Sequence, residues 1–460
     1  MSSCASRLSD KFRFMVLTFV ISGGAASLAL AQDPMASNNG LYPSAEDWQG
    51  RYNIANLDYP NTISANAWST LDMPQRLTLE SAAEYVARIK THLEPTLRTL
   101  VEQPENWDPT TAGWYDLVWS GDGAPGPNGT DPTSGREALM NTYSGQIMPP
   151  ETFSPPYRPT TYVQNHAVIY YNSAAATMLG DMWENVYAPD ISRAVFPDGS
   201  IVVKIEAVTN TPENWSVIEG ASMWHVFRPT TEDQANNVPD MKPQVLPVRP
   251  IQIAVRVKDS VAAPETGWVF IAFTYDATSQ GESAWDRFVP VGMQWGNDPD
   301  LTSDPSGLPP GAKLQETWIN PDAPAFTRDT FGWGGRLAGP MDVATRHNVI
   351  TASGERYQGD NHLRASSCQS CHGASEFPFT ANLYPSPNRS FPRDGEPFLL
   401  YDPGSRKWAE WFQNRPGTEA MSARIGGQGL DYDMALMFAL SAYNAAVGND
   451  GFVQKRFDVH

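Results

Sequence analysis

Cysteine is nearly missing from this chain: there are three in 460 residues. Cys4 lies in an N-terminal stretch expected to be removed, which leaves two. A disulfide-stapled scaffold and a site of four thiolates are both excluded. Positive charge is scarce as well, with 32 Lys and Arg against 51 Asp and Glu and a net charge of −19. A surface of that sign repels nucleic acid and anionic lipid, so neither is an expected partner. No nucleophile motif, paired acid and base, phosphate-binding glycine loop or second metal motif stands out along the chain.

What is present is concentrated in Cys368-Gln369-Ser370-Cys371-His372. Two thiols at this spacing lie about one helical turn apart, which suits thioether bonds to the two vinyl groups on one edge of a porphyrin. The adjacent His372 supplies a strong iron ligand whose Nδ1 hydrogen can be held by a carbonyl. A redox dithiol, a zinc site and a simple disulfide are the alternatives, and none explains the histidine. Zinc would have to borrow two histidines, with His362 the nearest, because no third cysteine remains. A dithiol would want a βαβ setting, whereas 364–367 and 373–378 read as loop. The expected cofactor is therefore one covalent haem c, attached at Cys368 and Cys371, with His372 as the proximal iron ligand.

Arg7, Lys11 and Arg13 precede the apolar run 14–21, and small residues close on Ala29-Leu30-Ala31. This is the pattern of a secretory signal peptide over 1–31, with Ser22-Gly23-Gly24 breaking the run before it could span a bilayer. It places the protein in the periplasm or outside a bacterial cell, with no membrane anchor after cleavage.

The remainder divides by pattern into a flexible leader over 32–45, a helix-rich region over 46–188, an antiparallel sheet region over 189–330 and a haem-binding region over 331–460 packed on the sheet. Apolar residues recur at helical spacing over 79–102, where Pro95 should kink or split the helix. The same spacing over 165–183 predicts a second helix opened by His166. Ser134 and Glu137 form a capping box for a short helix through Tyr143. From 189 the period becomes alternating, and 194–208, 222–227, 251–257, 268–275 and 288–295 read as four or five strands. Helices are expected over 406–414 and 431–447, the latter capped by Asp431 or Asp433 and ended by Gly448. The expected fold class is α+β. Fifteen tryptophans and 39 prolines favour loops pinned by aromatic contacts over long helical bundles.

The pieces Thr142-Tyr-Ser-Gly-Gln146, Val291-Gly-Met-Gln-Trp-Gly-Asn-Asp298, Glu316-Thr-Trp-Ile-Asn320 and Gly332-Trp-Gly-Gly-Arg-Leu-Ala-Gly-Pro340, with the haem motif, resemble those of secreted bacterial monohaem cytochrome c family proteins of unassigned reaction. In that pattern the glycine-rich piece runs almost directly into the cysteines, whereas here 341–365 intervenes. A shorter resemblance, through Phe196-Pro-Asp-Gly-Ser200, Lys204, Val255-Arg-Val-Lys-Asp259 and Thr266-Gly-Trp268, is to the cytochrome P-four-sixty and c-prime-beta superfamily. It implies a c-type haem set against an antiparallel sheet, often with an open distal iron site. One branch of that superfamily crosslinks a lysine to the haem, but Lys204 itself reads as a strand lysine facing solvent.

Two functions fit these residues. One is electron transfer to or from a redox partner protein, with a methionine closing the iron. Met421 is the candidate distal ligand because it stands in a loop before Gly426-Gly427, while Met434 and Met437 lie on an expected helix. The other is an open-site haem enzyme or gas-binding protein acting on small nitrogen species, nitric oxide or peroxide.

Overall fold

Short apolar runs between 143 and 319 assemble into an eight-stranded antiparallel sheet in the computed structural model, which describes residues 32–448 except 66, 71, 72, 74, 127, 389–396 and 422–425. The expected signal peptide, 1–31, lies outside the described residues. The strands are β1 (Tyr143–Met148), β2 (Val163–Tyr171), β3 (Ile201–Val208), β4 (Trp224–Arg228), β5 (Gln244–Lys258), β6 (Trp268–Tyr275), β7 (Phe288–Gln294) and β8 (Thr317–Ile319). Their order is β8-β7-β6-β5-β3-β2-β1, with β4 pairing the N-terminal half of the long β5.

The chain is mostly β, with 22% of residues helical, and this corrects the expected α+β class with its helical N-terminal part and four to five strands. Three strands went unread. The run 163–171 shows helical spacing by coincidence, because all but one of its residues are buried and both faces therefore read as apolar. Its β-branched and aromatic residues favour the extended form. The helix starts only at α2 (Ser173–Met182), where the Asn172 side chain accepts from the Ala175 N–H. No helix forms at 134–143 either. Glu137 is buried there and accepts from the backbone N–H groups of Leu139, Met140, Thr142 and Phe227, so it ties a turn to β4 rather than capping a helix.

The two faces of the sheet are chemically unlike. Ile201, Val203 and Ile205 of β3 join Val255 and Val257 of β5 in an apolar core that takes in the buried stripe of α1 (Ala82–Glu102). Pro95 does not split α1, which stays continuous because Leu93 and Leu97 on either side of it are buried. Val202 of β3 faces the other way, into a second core shared with Phe270 and the C-terminal segment. That segment carries α3 (Cys368–His372) and α4 (Met434–Ala446), the latter capped by Asp433 and followed by Gly448 at φ 74°, as expected.

Between β8 and α3 the glycine-rich piece braces the motif despite the excursion over 341–365. Leu337 accepts the Cys368 N–H at 2.8 Å and Ser366 accepts that of Trp333 at 3.0 Å. Gly332 permits this approach, since a Cβ there would come within 2.1 Å of the Ser366 oxygen. Among the described residues no helix is long and apolar enough to cross a membrane.

Ile89→Ala, at a fully buried α1 position, is expected to cost about 2 to 5 kcal/mol in chemical denaturation. Pro95→Ala, on the exposed side, should stabilise the protein, by up to about 3 kcal/mol, by restoring a helix hydrogen bond.

Candidate functional site

The motif folds as a single helical turn because Ser367 and Ser370 cap each other reciprocally. Gln369 and Ser370 are buried, and Gln294 of β7 accepts the Gln369 N–H at 3.1 Å. Cys368, Cys371 and His372 stand at i, i+3 and i+4, and all three are half-buried.

His372 is oriented by one carbonyl. Its Nδ1 lies 2.9 Å from the Tyr432 oxygen, and since a carbonyl can only accept, Nδ1 carries the hydrogen. Nε2 is thereby left with its lone pair. Burial, helped by the charge of Arg256, lowers the imidazole pKa well below its ordinary value and keeps it neutral. The Phe270 ring, 5.0 Å away, packs against it.

The carbonyl is itself held in an unusual backbone. Asp431 and Tyr432 both have positive φ, 47° and 62°, which costs non-glycine residues roughly 1 to 2 kcal/mol each. Asp431 is clamped by Lys258 Nζ at 2.8 Å, the Trp268 indole N–H at 2.7 Å and the Phe196 N–H at 2.8 Å. Asp433 takes Arg256 Nη2 at 3.0 Å and the Tyr171 hydroxyl at 3.3 Å. Arg256 Nη1 also donates to the Tyr432 carbonyl, at 2.6 Å.

The sheet face on the motif's side carries one partly exposed row. Ile169, Lys204 and Ala254 lie in register across β2, β3 and β5. Each is half-buried while its neighbours along the strand are buried. Ala272, next in register on β6, belongs to the cluster against which Cys368 packs. Ile169, Lys204 and Ala254 are thus a partly exposed row on an otherwise buried face, and it ends at the buried Ala272.

Lys204 does not face open solvent, as its strand position suggested. It pairs with Asp342 at 2.5 Å and Glu206 at 3.2 Å, and it is drawn inward because Glu206 is fully buried. Gln252 Nε2 donates to both carboxylates, at 2.6 Å to Asp342 and 2.5 Å to Glu206. Burial works against the Lys204 ammonium, but the two carboxylates outweigh it and raise its pKa. Burial pushes Glu206 up to about 8, Lys204 opposing and Asp342 adding to the rise.

The thiols stand in a buried setting. Both cysteines are free. Burial raises the pKa of Cys368, and that of Cys371 reaches about 12 even with Arg346 pulling it down. Among the described residues no three His, Cys, Asp or Glu side chains are grouped to hold a metal ion. The site thus presents two thiols and a neutral imidazole with a free Nε2 on one helical turn.

Among the methionines, Met437 is buried in the α4 core, and Met434 Sδ lies 4.0 Å from Cys371 Sγ. Met421 is half-buried in a turn and packs on the core that also contacts both cysteines. Sequence reasoning missed the roles of Arg256, Lys258 and Tyr432. The available signal was two cations two residues apart in an apolar strand, matched by Asp431 and Asp433 at the same spacing. Comparison with protein-family models, characterised proteins and solved structures finds no match to this chain.

Asp433→Ala is expected to cost about 3 to 5 kcal/mol, because it leaves the buried Arg256 without its counter-charge; urea unfolding measures it. Glu206 has a folded pKa near 8 against an ordinary 4.5. Between these values the folded state holds a proton that the unfolded state has lost, so stability falls as pH rises through that window. Glu206→Gln should flatten this part of the profile, read from urea midpoints at pH 5 and pH 8.

Proposed function

We propose that this protein is a secreted c-type cytochrome that transfers electrons through one haem attached covalently at Cys368 and Cys371. The observation that carries the reading is His372, held by the Tyr432 carbonyl with Nε2 free, beside the half-buried row Ile169, Lys204 and Ala254. When bound, the haem would supply a one-electron redox centre.

In this reading Cys368 and Cys371 would anchor the group to α3, and His372 would be the proximal ligand. Met421 is the distal candidate. Met434 packs at the attachment edge, against the Cys371 sulfur, and Met437 is sealed in the core of α4. The second core, which holds Trp408, Trp411 and Phe412, packs against both cysteines. A redox partner protein and export to the periplasm belong to the same proposal. The basic, apolar and small residues of 1–31 support export.

A second reading, an open-site haem enzyme or gas-binding protein, draws on Lys204, Glu206 and Asp342. Lys204, within the half-buried row, would supply an ammonium, and Glu206 beside it an exchangeable proton, to a small substrate bound there.

Haem staining of a denaturing gel tests the shared claim. The band should stain in protein made with working haem-attachment machinery, and an unstained band would remove both readings. Cys368→Ala and Cys371→Ala should each lower the yield of folded, stained protein. Met421→Ala should abolish the weak far-red charge-transfer band of methionine-ligated ferric haem and let carbon monoxide bind quickly to the reduced form. A wild type that already lacks the band and binds carbon monoxide quickly would replace the carrier by the open-site reading.

A further inference from the structure

We infer that Arg256 is a positioning residue that sets how strongly His372 donates to iron, by sharing the carbonyl that orients the imidazole. The inference rests on the haem reading above and adds to it a tuning residue on the sheet.

A carbonyl oxygen has two lone pairs, and at Tyr432 both are engaged. Arg256 Nη1 is 2.6 Å away and His372 Nδ1 is 2.9 Å away. The guanidinium bond is the shorter and is charge-assisted, so it draws the carbonyl's electron density more strongly. An imidazole whose Nδ1 hydrogen meets a strong acceptor becomes a more basic ligand. Here the acceptor is already committed to a cation, and the push on His372 is held down. A less basic imidazole donates less charge to the iron and leaves the reduced state easier to reach.

The arrangement is fixed from several sides. Asp433 holds Nη2 at 3.0 Å, and the guanidinium lies 5.9 Å from the Trp268 ring. Asp431 and Asp433, on either side of Tyr432, are both fully buried. Their bonds to Lys258 and Arg256 keep the carbonyl from turning away from either donor. Arg256 reaches the imidazole through this carbonyl and through its charge, and not by a bond of its own.

Two variants of the haem-loaded full chain test the inference. Arg256→Lys keeps the charge and can still meet Asp433, but a single ammonium does not reproduce the fork that serves both acceptors. Arg256→Gln combined with Asp433→Asn removes both charges together, and Asn caps α4 as well as Asp does. The iron–histidine stretching frequency is read from resonance Raman spectra of the ferrous protein, directly or just after photolysis of its carbon monoxide adduct. It should rise in both variants, more in the double one, while the reduction potential falls. If both variants fold, stain for haem and keep the wild-type frequency and potential, Arg256 has no such role. A wild-type chain without haem overturns the cytochrome reading and this inference together, and the gel stain identifies that case.

Discussion

The Tyr432 carbonyl is the point on which the site depends. It lies between two carboxylates that are bonded to cations of β5, and its own backbone occupies a left-handed conformation that a tyrosine does not adopt freely. Buried ion pairs of this kind add little net stability, because desolvation offsets most of the Coulomb gain, but they penalise every arrangement in which a charge is left alone. Arg256–Asp433 and Lys258–Asp431 therefore act chiefly as register pins. They fix where the C-terminal segment meets the sheet, and so where His372 finds its acceptor.

The sheet can do this because its faces differ. The face under α1 is aliphatic and closes by hydrophobic burial, which is strong but has no directional preference. The opposite face carries Lys204, Glu206, Gln252, Arg256 and Lys258 among its apolar residues, and each of these needs a particular partner. Asp342 of the excursion and Asp431 and Asp433 of the C-terminal segment supply those partners. The polar face thus recruits distant parts of the chain, and Cys368 packs with Ala272, next in register to that half-buried row.

Much was legible in the sequence where local chemistry decides the outcome. The motif spacing, the strand over 268–275 and the helix capped by Asp433 all stand as read, because each is set by residues within a few positions of one another. β2 was not legible. Its burial on both faces removes the alternation by which a strand is recognised, and Val168 and Tyr171 fall by chance on the helical spacing that continues into α2. β1 and β8 gave no better signal: β1 holds Gly145 and mostly half-buried residues, and β8 is three residues long.

The sequence by itself determined that two thiols and an imidazole stand on one helical turn, that the chain is acidic, and that its central segment is built for strands. Those properties follow from composition and short-range spacing. Only the tertiary structure decided that Leu337 returns to Cys368 across the excursion, that Lys204 turns inward to Glu206 and Asp342, and that one carbonyl serves both Arg256 and His372. The physical reason is that a buried charge or carbonyl must find its partner wherever the fold brings one. Arg256 and Tyr432 are 176 residues apart, and no local propensity encodes a contact at that distance.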